Sequence, residues 1–186
     1  MEKLGMLATA PQPMCQWCSK NRNHFLHCTT ANGVCNVWNE ENYLTFDGRT
    51  FDFDGNCSYY LVKEIIPEYN LTISVTKEDC EYSGDSKFCF HSLNVGFKSD
   101  MVLIKQSNSS GTVQKQVYVN GKQVYPAYKN EAILITGTDI VVNVEIPEIK
   151  TEVVYRDSSI SVELPQSLIG KNTEGQCGML NLLKYP

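Results

Sequence analysis

Residues 35–57 read CNVWNEENYLTFDGRTFDFDGNC. In Tyr43-Leu44-Thr45-Phe46 and again in Thr50-Phe51-Asp52-Phe53-Asp54, large apolar side chains stand at every second position, the period of a half-buried strand. Asp47-Gly48 between the two runs predicts a tight hairpin turn, because glycine tolerates the positive φ that such turns need. Gly55-Asn56-Cys57 then ends the second strand, and Ser58-Tyr59-Tyr60-Leu61-Val62 starts a third.

Outward from this segment the same grammar continues. The runs NLTISVT, SLNVGF, MVLIK, KQVYVNGKQVY, AILIT, DIVVNVEI and TEVVYRDSSISVELP are short, rich in β-branched and aromatic residues, and separated by turn residues. No window holds a sustained apolar period of 3.6 residues. About ten short strands at this spacing predict an all-β protein, an antiparallel β-sandwich. Ser107 to Gly111 reads as an exposed polar loop and Asp157-Ser158-Ser159 as a turn. Residues 1–32 show no clear period and read as an irregular cysteine-containing lead-in, so the expected division is 1–32 and 33–186.

The chain has 186 residues, a formal net charge of −5, 42% hydrophobic and 20% charged residues, an ordinary globular composition with room for one cored domain. Without a run of Lys or Arg longer than a pair, neither nucleic acid nor an anionic membrane is an expected partner. No stretch reaches the roughly 18 apolar residues needed for a membrane span. Eight cysteines, Cys15, Cys18, Cys28, Cys35, Cys57, Cys80, Cys89 and Cys177, are scattered at loop-like positions, which suits disulfides in an oxidising, extracellular compartment. Three Asn-x-Ser/Thr triplets, at Asn56, Asn70 and Asn108, agree as glycosylation acceptors. The opening MEKLGMLATAPQP is too short and too weakly flanked for a secretory signal, so we expect a piece or shortened form of a larger secreted protein.

Cys15-x-x-Cys18 with His24, His27 and Cys28 has zinc-ligand spacing, and disulfides are the competing reading of the same cysteines. Asp52 and Asp54 read as the solvated outer face of a strand rather than a pair of catalytic carboxylates. His91, with no nucleophile near it in sequence, reads as a sheet residue.

The Cys35–Cys57 segment resembles the opening of a von Willebrand factor type D domain, in which a cysteine, an aromatic, TFDG, alternating aromatics and a G-x-C-x-Y turn follow in this order. Residues 59–80, YYLVKEIIPEYNLTISVTKEDC, and Asn120-Gly121-Lys122 extend the resemblance. Leu164-Pro165-Gln166-Ser167 and NTEGQCG at 172–178 are similar to the close of the fourth D assembly of gel-forming secreted mucins. The resemblance covers about residues 33–181 and implies a disulfide-stabilised sandwich, C-terminally incomplete. Its implied role is a non-enzymatic structural module in a disulfide-linked gel-forming or adhesive extracellular polymer, with other chains of that polymer as partners. A ligand- or lipoprotein-associated binding module of the same family is the alternative.

The resemblance also implies site residues. Members of the mucin type carry Gly-Asp-Pro-His, a self-cleaving sequence, where this chain has Asn39-Glu40-Glu41-Asn42; without the Asp-Pro bond and the histidine no cleavage is expected. The family's Cys-Gly-x-Cys is here Cys177-Gly178-Met179-Leu180, which lacks the second thiol that exchange requires. Cys80 and Cys89 stand where the family closes a small loop. The family partners of Cys35 and Cys57 are missing, which leaves Cys35 to pair with Cys177 and Cys57 either free or bonded between chains. Asp47 matches a calcium-binding aspartate, yet GMLNLLKYP after Cys177 offers only the Asn181 amide as a further ligand, too few oxygens for calcium. Asp47 as a turn residue bonding its own backbone is the competing reading.

Overall fold

The structure, a computed structural model, describes residues 32–79, 88–109 and 112–178, together with the backbone of Cys18–Lys20 and Leu26–Cys28. The chain divides into two units, residues 1–31 and 32–186. In the first, β1 (Cys18–Lys20) and β2 (Leu26–Cys28) pair antiparallel with Cys18 opposite Cys28, a short ladder where the sequence reads as irregular.

The second unit holds β3 (Asn32–Trp38), β4 (Asn42–Leu44), β5 (Thr50–Asp52), β6 (Ser58–Glu64), β7 (Thr72–Asp79), β8 (Phe88–Phe97), β9 (Asp100–Ser109) and β10 (Thr112–Val119). It continues with β11 (Lys122–Val124), β12 (Tyr128–Lys129), β13 (Leu134–Gly137), β14 (Val141–Ile146), β15 (Thr151–Arg156), β16 (Ser159–Pro165), helix α1 (Gln166–Asn172) and β17 (Thr173–Glu174). One sheet runs β11-β10-β9-β8-β7-β6-β17 and the other β12-β13-β14-β15-β16-β3-β4-β5. Neighbouring strands are antiparallel.

Period-two burial explains why the two sheets stack. In β14 and β16 every second residue is buried, and Val142, Val144, Val162 and Leu164 face a single core with Ile73, Val75, Leu93 and Val95 of the other sheet. Burying each such side chain contributes about 1.5–3 kcal/mol. The expected all-β sandwich is what the chain forms. Among the described residues no helix is long and apolar enough to cross a membrane.

Three local expectations need correction. The hairpin after β4 is a five-residue connection, not a two-residue turn at Asp47-Gly48: Leu44 is the last residue of β4, opposite Thr50. Thr45 N–H donates to Arg49 O at 2.8 Å and Gly48 N–H to Thr45 O at 2.9 Å, which lets Thr45 and Phe46 turn inward. The polar residues Ser107–Ser109 belong to β9, with Ser109 opposite Thr112, because a two-strand ladder satisfies their backbone whatever their side chains. Asp52 and Asp54 are both exposed, as expected, but they do not share a strand, since β5 stops at Asp52 and Asp54 lies beyond it, paired with the buried Lys77.

The short helix α1 was invisible to periodicity, being only seven residues long. It follows Pro165, the residue flanking its start, and buries Ile169 directly over Gly33, where an added Cβ would strike the Ile169 Cδ1. Gly33 is therefore a close-approach position.

Candidate functional site

The segment that follows α1 joins both sheets. β17 adds to the edge of β6, Gly175 takes φ +132° with no room for a Cβ beside Leu61 O, and the ladder resumes with Gln176 N–H to Tyr60 O at 2.9 Å and Cys177 N–H to Leu61 O at 3.0 Å. Cys177 O accepts from Phe46 N–H at 3.0 Å, and its sulfur is bonded to Cys35 of β3. Cys177 thus binds β6 in one sheet and, in the other, β3 and the loop after β4. Both cysteines are buried, and closing a loop with 142 residues of separation stabilises the folded state by about 5 kcal/mol on the chain-entropy model.

Asp47 sits on the loop that Cys177 holds. Its Oδ1 accepts from the Thr45 hydroxyl and its Oδ2 lies 3.1 Å from Arg49 Nε, while the Thr45 oxygen accepts from Arg49 N–H at 3.1 Å. Both carboxylate oxygens are engaged, one of them by a guanidinium. Among the described residues no group of three or more His, Cys, Asp or Glu side chains converges to hold a metal. These donors do not fit calcium; Asn181 lies outside the described residues, as do the side chains of Cys15, Cys18, His24, His27 and Cys28.

Cys57 is a free thiol on the exposed surface, on the loop between β5 and β6. Lys77 of β7 holds that loop at three points. Its N–H donates to Cys57 O at 3.0 Å, and its ammonium reaches Phe53 O at 3.3 Å and Asp54 Oδ1 at 3.2 Å. The Lys77 side chain is fully buried, in phase with Ile73 and Val75 on the inward face of β7. That phase was the available sequence signal: a lysine at the next inward position of an alternating run has to bring its charge a partner. Beside the loop, Tyr43 stacks on Phe51 at 4.8 Å and Phe53 meets Tyr59 edge-on at 4.9 Å. The Tyr43 hydroxyl is buried without a hydrogen-bond partner among the described residues, and burial pushes its pKa up to about 12.

Asn56, adjacent to Cys57, is exposed, and the third residue of its triplet, Ser58, shares a hydrogen bond with Thr76 at 2.9 Å. Asn70 is exposed at φ +53°, ending a loop whose Tyr69 and Leu71 N–H groups both donate to Glu64 Oε2 at 3.0 Å. Asn108 lies in β9, its side chain outside those described. Cys89 is disulfide-bonded; Cys80 lies outside the described residues. His91 is a half-exposed strand residue, 3.3 Å from Glu78.

The description of the von Willebrand factor type D domain matches residues 35–184, from the first cysteine of the closing disulfide to beyond the second. The chain belongs to that family. It is 32% identical to human Mucin-5AC over 146 residues, or 78% of this chain and 3% of that protein. It is 37% identical to human Mucin-2 over 145 residues, 77% of this chain and again 3% of the relative. Rabbit Zonadhesin is 28% identical over 95 residues, 50% of this chain and 4% of that protein. This type D domain therefore spans a small fraction of the proteins it is similar to.

Proposed function

We propose that this type D domain is a non-enzymatic structural module of a secreted, mucin-like glycoprotein, and that it takes part in disulfide-linked assembly of an extracellular gel-forming or adhesive polymer through Cys57. The observation that carries this reading is the contrast among its cysteines. Cys35 and Cys177 are spent on a buried internal bond, whereas Cys57 is an exposed thiol on a loop anchored by Lys77. A thiol held outward on a fixed loop is accessible to a thiol of another chain. The similarity to proteins named as mucins supports the extracellular setting, in which such bonds persist. Glycans on Asn70 and Asn108 would keep the neighbouring faces solvated.

The chain secreted from a eukaryotic cell behind an added signal peptide, analysed on a non-reducing gel, tests the proposal. The parent is expected to run partly as a disulfide-linked dimer or higher species, and Cys57→Ser as monomer. Monomer in both cases overturns the role of Cys57. A dimer that survives Cys57→Ser moves the linkage to another cysteine.

A further inference from the structure

The outward face of the eight-stranded sheet carries a groove of about 450 Å³ that neither the closure at Cys177 nor the Cys57 loop uses. Its floor is β16, where Ser159 and Ser161 present short side chains. One wall is β15, with Val154 opposite Ser161 and Arg156 opposite Ser159. The other wall is β3 and β4, with Asn36 opposite Ser161 and Leu44 opposite Asn36. Trp38 closes that wall with its side chain 37% exposed.

We propose that this groove binds an acidic saccharide, a pyranose carrying a carboxylate or a sulfate. β16 is hydrogen-bonded on both sides, to β15 and to β3, so its backbone has nothing left to offer an added strand, and an occupant has to be recognised by side chains. The side chains present are of three kinds. Trp38 and Leu44 offer an apolar surface, suited to the C–H face of a sugar ring. Ser161 and Asn36 make no side-chain hydrogen bond among the described residues and can exchange with ring hydroxyls. Arg156 is exposed and forms no ion pair among the described residues, on a chain whose net charge is −5. A guanidinium left without a carboxylate of its own, next to an aromatic wall and free hydroxyls, is complementary to an anionic group. Glu163 and Glu152 carry carboxylates on the same face, one outward position along β16 and β15 from Ser161 and Val154 and at the end away from Arg156, so charge changes sign along the groove and sets the sugar's orientation.

Saturation-transfer NMR on the whole chain tests this with glucuronic acid, sulfated N-acetylglucosamine and neutral N-acetylglucosamine as probes. Transfer to at least one acidic sugar, with the neutral sugar weaker by about tenfold, is expected. The pattern of the two acidic probes tells carboxylate from sulfate. Arg156→Gln should bring the acidic sugar down to the neutral level with the melting temperature unchanged, because Arg156 is exposed, and Trp38→Ala should weaken all three. Absence of transfer, equal binding of neutral and acidic sugars by the parent, or binding that survives both substitutions overturns the proposal.

Discussion

Lys77 and Lys115 are both buried in this sandwich, each in phase with inward-facing apolar residues, and each clamps a loop onto its sheet by different means. Lys77 brings its ammonium to a carboxylate, Asp54, and a carbonyl, Phe53 O. Lys115, aligned on β10 with Val117 and Val119, has no carboxylate within bonding reach among the described residues. Its ammonium donates to Ile140 O at 3.0 Å and lies 4.4 Å from the centre of the Tyr155 ring, while its N–H donates to Asp139 O. Burial lowers the Lys115 pKa, opposed by the charge of Asp157. The same sequence pattern thus yields one paired cation and one held by a carbonyl dipole and a π face. Alternation dictates that the stem goes in; it does not dictate what meets the charge.

Replacing the two lysines tests the contrast, and Lys77 should give the larger effect. Lys77→Ala removes the packed stem and two contacts to the 53–57 loop, and is expected to cost about 2–4 kcal/mol in urea unfolding. In the same variant, maleimide labelling of Cys57 at fixed pH should accelerate several-fold. A labelling rate equal to that of the parent would show that the loop does not depend on the clamp.

Lys115→Met should change stability by less than about 1 kcal/mol near neutral pH, because the lost bond to Ile140 O is offset by relief of an unpaired buried charge. Its signature is in the pH dependence. With the folded pKa below 10.5, the unfolded chain binds the proton more tightly, so stability rises with pH from the lowered value up to 10.5. Lys115→Met should abolish that rise; a rise that persists assigns it elsewhere.

Tyr43→Phe is the smallest effect. The hydroxyl is buried without a partner among the described residues, so its removal should be neutral or stabilising by up to about 1 kcal/mol. The tyrosine pKa is raised from 10.0 to about 12 on folding, so its contribution is complete below pH 10 and is lost as pH rises through about 12. The variant should lose part of that alkaline decline, the remainder being shared by Tyr155, whose pKa is raised by burial, and Tyr69, whose pKa is raised by Glu68.

Much of the architecture was legible because a period of two is a local property: β7, β14, β15 and β16 can each be read from side-chain alternation alone. Asn120-Gly121, which the family resemblance marked, joins β10 to β11 with Val119 opposite Lys122. The hairpin after β4 was misread because its geometry is set from outside, by the Phe46 bond to Cys177 O more than a hundred residues away in the chain. Helix α1 went unread because seven residues cannot display a helical period and its stability comes from Ile169 packing over Gly33. For Asp47 the sequence left turn residue and calcium ligand open; among the described residues its carboxylate meets the Arg49 guanidinium at 3.1 Å, and Asn181 lies outside them.

By itself the sequence determined that this chain is all-β, cysteine-rich and a member of the type D family, since composition, alternation and ordered motifs are written along the chain. The Cys35–Cys177 pairing was already implied by the family resemblance, whereas tertiary structure alone decided where Cys57 is presented and which partners the two buried lysines find. The groove beside Trp38 belongs to the second group as well, since Arg156, Ser161, Asn36 and Leu44 come from four strands. Such neighbours depend on strand order and register across the sheets, and no local pattern along the chain encodes those distances.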